Sequence, residues 1–312
     1  MTPRVIVADL HTHSTASDGE YAPSELVRAA RDLGLQALAL TDHDTIVGLD
    51  EALGTGQRIG LRVIPGVEVS IRFRRPLFVG TLHLLLYFAG DLLRDPDFRQ
   101  AAQDVLGQGR GEALVRARVA AINAEFGPQG RQPALSRPLT AEEISAYAVN
   151  VTRRHFAQAL HEKHGLEKRE QVAAIIGNDS PAYVPSGIDL DMLPPFLARF
   201  PVVRILAHPA AGSFPGSSHY KEVLPPLEIV EELLPEFQSL GLDGLEVHYP
   251  GHTAAHRQLL LRWRERMGLP LVTGGSDCHD RAERPLGVEG VTQRELDRLL
   301  DQLQEGSCWS VC

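Results

Sequence analysis

Apolar runs of strand length alternate with helix-patterned stretches at both ends of this sequence, and that alternation restricts the fold more than any other feature. Residues 4–10 read as a strand, and 23–33 have helical spacing with Pro23 at the start and Gly34 as a stop. Residues 35–41 then read as strand, 45–53 as helix and 61–70 as strand, with a further strand at 81–88 beyond a basic loop, Arg72-Phe-Arg-Arg75. Short links between successive βα units imply a parallel sheet. From 97 to 187 the strand patterns vanish, and 113–126, 141–149, 153–164 and 170–177 read as helices around a Pro/Gly-rich stretch at 127–138. Alternation resumes with a helix at 193–200 and strands at 202–207, 244–247 and 269–273, interleaved with helices at 222–240, 253–267 and 293–304. The expected fold is α/β, a barrel domain formed by 1–96 and 188–306, with a helical insertion domain at 97–187 standing over one end of the sheet.

Composition narrows the function. With 31 Lys+Arg against 40 Asp+Glu, the formal charge of −9 has the wrong sign for adhesion to long nucleic acids. Cys278, Cys308 and Cys312 form no disulfide framework, no run is long enough to span a membrane, and the first residues lack a signal-peptide pattern. A cytoplasmic protein is expected.

Potential metal ligands cluster where strands end. His11 and His13 are two apart, a spacing that projects both to one side of an extended chain. Asp18 follows them, His43 stands in Thr-Asp-His-Asp, Glu68 in Pro-Gly-Val-Glu, His83 in Thr-Leu-His-Leu, His208 in Leu-Ala-His-Pro, and Asp277 and His279 in Ser-Asp-Cys-His. In a parallel barrel the loops after strands open at one face, so residues far apart in sequence converge there. Any one of these side chains could be a satisfied polar group or a helix cap, but their recurrence in consecutive βα units favours a metal centre. Six imidazoles suit Zn, Mn or Fe better than Mg. Asp42 and Asp44 fit the orientation of His43, or a helix cap, better than ligation. His161, His164, His219, His252 and His256 read as ordinary polar groups outside the site, the i, i+4 pair His252/His256 on the exterior, and alternation turns Cys278 away toward burial.

These motifs resemble the PHP family, named for its polymerase and histidinol phosphatase members. The resemblance rests on Asp9-Leu-His-Thr-His-Ser with Asp18-Gly, Leu40-Thr-Asp-His-Asp, Pro65-Gly-Val-Glu, Gly275-Ser-Asp-Cys-His and Ala207-His-Pro. It implies a distorted (β/α)7 TIM-like barrel with two or three divalent ions at the strand ends. By position it assigns His11, His13, Glu68 and Asp277 to one ion, Glu68, His83 and His208 to a second, and Asp18, His43 and His279 to a third. Residues 22–27, 38–45, 152–160 and 181–185 are similar to the family's stand-alone nucleotide phosphoesterases, which hydrolyse nucleoside 3′,5′-bisphosphates or trim the 5′ ends of short RNA. The chain departs from them in a longer connection at 71–81 and in a loop at 214–226.

The implied activity is phosphate monoester hydrolysis by a metal-bound hydroxide on a small phosphorylated substrate, a nucleotide or short oligonucleotide. Arg153, near the start of a helix overhanging the site, is the expected cation for transition-state charge. Arg154, His155, His248 and Asp44 complete the expected substrate-binding set, with His155 and His248 as candidate leaving-group acids and Arg154 able to face another side of its helix. Glu246, alternating with His248, could anchor a ligand or close the barrel floor. Arg72, Arg74 and Arg75 read as a solvated basic loop or as contacts to a second phosphate. Histidinol phosphate hydrolysis and a non-catalytic metal-binding module are the alternatives; segments 152–160 and 181–185 disfavour the first, and the complete ligand set the second.

Overall fold

A computed structural model describes residues 4–75, 78–148, 151–177, 179–211, 226–282 and 284–307. His219, Cys308, Cys312, the loop at 214–225 and the Arg74 side chain lie outside the described residues. Strand β1 (Ala8–Asp9) leads to α1 (Pro23–Asp32), β2 (Ala37–Leu40), α2 (Leu49–Ile59), β3 (Arg62–Arg75) and β4 (Phe78–Phe88). Helices α3 (Pro96–Leu106), α4 (Gly111–Phe126), α5 (Ala141–Ser145), α6 (Arg153–His164), α7 (Arg169–Ile176) and α8 (Leu193–Leu197) follow. Then come β5 (Val202–Leu206), α9 (Leu227–Ser239), β6 (Gly244–His248), α10 (Ala254–Met267), β7 (Leu271–Gly274) and α11 (Gln293–Ser307).

The seven strands stand in sequence order, as consecutive βα units dictate. β1, β2 and β3 pair in parallel, as do β5, β6 and β7, but β4 runs antiparallel to both neighbours. The expected basic loop is therefore corrected to paired strand, with Arg72 opposite Thr81 and Arg75 opposite Phe78. The reason is visible in the side chains: buried Val67, Val69, Ile71 and Phe73 keep period two straight through the arginines. Phe73 packs on Phe78 and on Phe237 of α9, with ring centroids 6.3 and 5.9 Å apart. Arg72 pairs with Asp189 and Arg75 with Glu236, both at 2.6 Å. α2 also begins later than expected, because residues 42–44 run beside β3, where the Asp44 N–H donates to the Glu68 carbonyl at 2.9 Å.

Small residues Ala8, Ala37 and Ala39 share the barrel interior with Leu10, Ile64, Leu85, Tyr87 and Ile205, and α11 closes its floor with Leu296 and Leu299. Between β7 and β1 the wall is joined by single bonds, from Leu10 N–H to the Gly274 carbonyl (3.2 Å) and from Asp277 N–H to the His11 carbonyl (2.9 Å). Gly275 permits this approach, since a Cβ there would stand 2.4 Å from His11 Cβ. On the outside, Phe98 of α3 packs against Phe88, Phe196 and Phe200 at 4.8, 5.8 and 5.2 Å, whereas Val115, Ile122, Phe126, Ile144, Phe156 and Ile175 build a separate core among α4–α7.

The start of α11 is held by Glu295. Its Oε2 accepts the Thr292 N–H at 2.8 Å and meets Arg4 at 3.1 Å, while Oε1 meets His248 Nε2 at 3.0 Å. Burial opposes its ionisation, but His248 and Thr292 outweigh burial and hold the carboxyl down to about 2. A depressed carboxylate stabilises the fold above its unfolded value near 4.5, and that contribution disappears as pH falls toward 2. Urea midpoints of wild type and Glu295→Gln should therefore differ at pH 7 and converge on acidification toward pH 2; a gap that does not change with pH would contradict this.

Candidate metal centre

The expected ligands arrive from six of the seven strands and the loops after them, and Glu68 of β3 is where they meet. Its Oε2 stands 3.1 Å from His11 Nε2, 3.1 Å from His13 Nε2 and 3.0 Å from His43 Nδ1. Its Oε1 stands 2.8 Å from His83 Nδ1 and 3.0 Å from His208 Nε2. Asp277 Oδ1 approaches His13 Nε2 at 3.1 Å and His11 Nε2 at 3.5 Å, and Asp18 Oδ1 approaches His279 Nε2 at 3.4 Å. His83 reaches this centre from the middle of β4, opposite Ser70, and not from a strand end, because β4 descends where the parallel strands rise.

The structure brings all nine residues together in overlapping groups. His11, His13, Glu68 and Asp277 form one; His13, Asp18, His43 and His279 form another; and in each the donor atoms lie within 4.8 Å of one another. Glu68, His83 and His208 close a third at 2.8–3.4 Å. His13 thus stands in two groups, which the spacing alone did not indicate. His11 Nε2, His13 Nε2, Asp18 Oδ1, His43 Nδ1 and Glu68 Oε2 are buried without a hydrogen bond. Such atoms are expensive to leave unsatisfied, and a set of imidazole and carboxylate donors facing inward fits divalent ions of borderline softness.

Burial opposes ionisation of Glu68, Asp18 and Asp277, yet surrounding histidines hold all three well below the usual carboxylate range. Burial likewise opposes charge on His13, but Asp277 and Glu68 hold its imidazolium up to about 9. His43 is pushed well below its ordinary value, by burial first and by His13 and Arg110 in addition.

Outer groups aim these ligands. Glu246 meets His11 Nδ1 at 3.1 Å, leaving Nε2 for the centre, and accepts the His208 N–H at 2.8 Å, so it anchors two ligands. Asp42 accepts the Ser14 N–H and the Ser17 hydroxyl, both at 2.7 Å, fixing the loop that carries His13 and Asp18. Asp9 accepts N–H groups from Ser276 and Gly287, each at 2.9 Å, and burial pushes its carboxyl up to about 6. Asp44, His208 and Asp277 occupy left-handed backbone at φ 49°, 28° and 52°. Each such residue costs about 1–3 kcal/mol and persists only where surrounding contacts impose it.

Beside the centre a cleft runs between Asp18, His43, Ser70 and His83 on the barrel and Arg110, Arg118, Thr152 and Arg153 around α4 and α6. Arg153, the first residue of α6, lines this cleft, its guanidinium 5.5 Å from the Tyr183 ring. His155 is half-buried, and its Nδ1 accepts the Thr152 N–H at 2.9 Å, so the neutral ring carries its proton on Nε2. Burial and Arg154 lower its pKa against the pull of Asp18. That geometry makes His155 a hydrogen-bond donor and corrects its expected role as a leaving-group acid, which would sacrifice the Thr152 bond.

Other expected substrate residues lie elsewhere. Asp44, expected among the substrate-binding residues, has no exposed side-chain surface; it accepts the Ser70 N–H at 2.7 Å and pairs with Arg110. Arg154 is exposed and faces Glu20 at 3.9 Å. His248 meets Glu295, and among the described residues it bonds to none of the nine ligands. Arg72 and Arg75 are committed to ion pairs away from the cleft. His252 is buried, not exterior: it bonds the Val247 carbonyl at 3.0 Å, and burial holds it down to about 3. Cys278 is buried as expected, and burial pushes its thiol up to about 12.

Arg110 and Arg118 were not picked out from the sequence. The one available signal was the Gly109-Arg110-Gly111 triplet opening α4, where Gly109 packs so closely that a Cβ would lie 2.6 Å from the Gly187 carbonyl carbon. Tyr249 and Arg284 were also missed; their Oη and Nη1 lie 3.2 and 3.0 Å from Asp277 Oδ2.

Comparison with known proteins agrees with this geometry. A family model described as the PHP domain matches residues 9–123. A 5′-3′ exoribonuclease of Haemophilus influenzae is 30% identical over 87% of this chain and 89% of its own length. A 3′,5′-nucleoside bisphosphate phosphatase of Chromobacterium violaceum is 28% identical over 88% of each chain. A solved structure from Bifidobacterium adolescentis, assigned as a metal-dependent phosphoesterase, superposes with a TM-score of 0.71 at 26% identity and covers 96% of this chain and 97% of that one. Among the described residues, no helix is long and apolar enough to cross a membrane.

Proposed function

The chain belongs to the PHP family, and on that premise we propose that this metal-dependent phosphoesterase hydrolyses phosphate monoesters of nucleotides, either a nucleoside 3′,5′-bisphosphate or the 5′ end of a short oligoribonucleotide. The observation that carries the proposal is the cleft, in which three arginines line the wall beside four residues of the barrel, three of them from the ligand cluster. One arginine suffices for a single phosphate; three suit a substrate with more than one anionic group.

His11, His13, Glu68 and Asp277 hold one ion in this reading, Glu68, His83 and His208 a second, and Asp18, His43 and His279, with His13 nearby, a third. Mn, Zn or Fe(II) fits the donor set. Bound there, such ions supply an activated water and neutralise phosphoryl oxygens. The chain's own groups do the rest. Arg153 faces the charge that develops as water oxygen bonds to phosphorus and the ester P–O bond breaks, releasing an alcohol and inorganic phosphate. His155 Nε2–H donates to a phosphoryl oxygen, and Arg110, held by Asp44, meets a further anionic group together with Arg118. The helices α4–α7 serve as the substrate-reading part, while α3, expected within the insertion, packs on the barrel. The net charge of −9 disfavours long nucleic acids, while the local arginines accept short ones.

Protein stripped by a chelator should release no phosphate, and Mn or Zn should restore release from adenosine 3′,5′-bisphosphate or a 5′-phosphorylated dinucleotide. AMP and histidinol phosphate serve as comparisons. Release from histidinol phosphate alone would overturn the nucleotide reading, and no release from any ester with metal bound would overturn catalysis.

A further inference from the structure

Two of the nine ligands, His208 and Asp277, sit on left-handed backbone in separate loops, and both meet Tyr249, on the turn between β6 and α10. Tyr249 Oη donates to Asp277 Oδ2 at 3.2 Å; Arg284 takes the same oxygen at 3.0 Å, leaving Oδ1 to face His11 and His13. The Tyr249 ring lies 5.1 Å from that of His208 and 5.1 Å from that of His252. His252 ties its own turn to the His208 loop: Nδ1 donates to the Val247 carbonyl at 3.0 Å, and Nε2 accepts the Ala210 N–H at 3.3 Å. These two backbone bonds fix one tautomer of a neutral ring. Tyr249 and His252 are only 2% and 4% exposed, so neither reads substrate or solvent.

We propose that Tyr249 and His252 are positioning residues that hold Asp277 and His208 in ligating geometry and so set the affinity of two ions through one turn. His208 reaches the centre from a loop whose backbone the Ala210–His252 bond pins two residues further on. Asp277 presents one oxygen because the other is occupied. The inference rests on the metal-centre reading above, and its test reads metal binding, not turnover.

Tyr249→Phe keeps the ring and loses only the hydroxyl, His252→Leu loses both backbone bonds, and His252→Gln restores a donor and an acceptor. Binding of Mn or Zn to the metal-free chains is measured by calorimetry, beside thermal unfolding of the same metal-free chains. Tyr249→Phe and His252→Leu are expected to weaken binding roughly 10- to 100-fold, with His252→Gln recovering most of the second loss. Wild-type affinity in both, or lowered thermal stability without weakened binding, overturns the proposal. If His252→Leu does not fold, Tyr249→Phe decides alone. Should the wild-type chain bind metal yet hydrolyse no ester, the nucleotide reading fails while this comparison stands.

Discussion

Glu68→Gln should lower phosphate release on the order of 10³-fold and strip metal from the chain, because one carboxylate serves five imidazoles at 2.8–3.1 Å. Glutamine conserves the volume of a completely buried side chain, so packing is retained and the change is electrostatic. Its amide nitrogen presents hydrogens where Glu68 offers lone pairs, and its oxygen carries no net charge. Metal-to-protein ratio after gel filtration, measured beside kcat/KM, checks this. A variant with full metal and full rate would remove Glu68 as the hub. His248→Asn is the matched comparison, expected within about threefold of wild type, since that side chain bonds to Glu295 and to none of the ligands.

Arg153→Met should cost roughly 10²- to 10³-fold in kcat with metal content unchanged. Methionine keeps the aliphatic stem that lines the cleft and removes the charge. Because the loss is assigned to the transition state, kcat and kcat/KM should fall together; a rise in KM with kcat intact would make Arg153 a ground-state contact only. Arg154→Met, one residue on, should change kcat less than about threefold, since Arg154 is exposed and turned toward Glu20. Equal losses at the two positions would show that general positive charge on α6, and not a guanidinium aimed into the cleft, supports turnover.

The ligands and the arginines differ in how legible they were. His11, His13, His43, His208, Asp277 and His279 stand where strands give way to loops, and a parallel sheet sends all such positions to one face, so their convergence was readable from order alone, whereas Glu68 proves to be mid-strand because β3 runs on to Arg75. His83 was found for a partly mistaken reason: it is mid-strand, and reaches the centre because β4 is antiparallel. The hairpin itself was hidden because arginines at 72, 74 and 75 outweighed the buried alternation of Val67, Val69, Ile71 and Phe73. For Arg110 and Arg118 no periodicity separates a guanidinium over a cleft from one in solvent; only the packing of the insertion on the barrel distinguishes them.

Sequence by itself determined the alternation that builds the wall, nine candidate oxygen and nitrogen donors, and the class of chemistry, because strand order and donor type are local properties of the chain. Tertiary structure decided which donors stand together, which polar groups aim them, and which arginines line the cleft. His248 and Glu246 are two residues apart on one strand, yet Glu246 anchors His11 and His208 while His248 clamps α11, with a register shift in the ladder between them. Such outcomes depend on contacts between segments hundreds of residues apart, whose distances and burial no local pattern encodes.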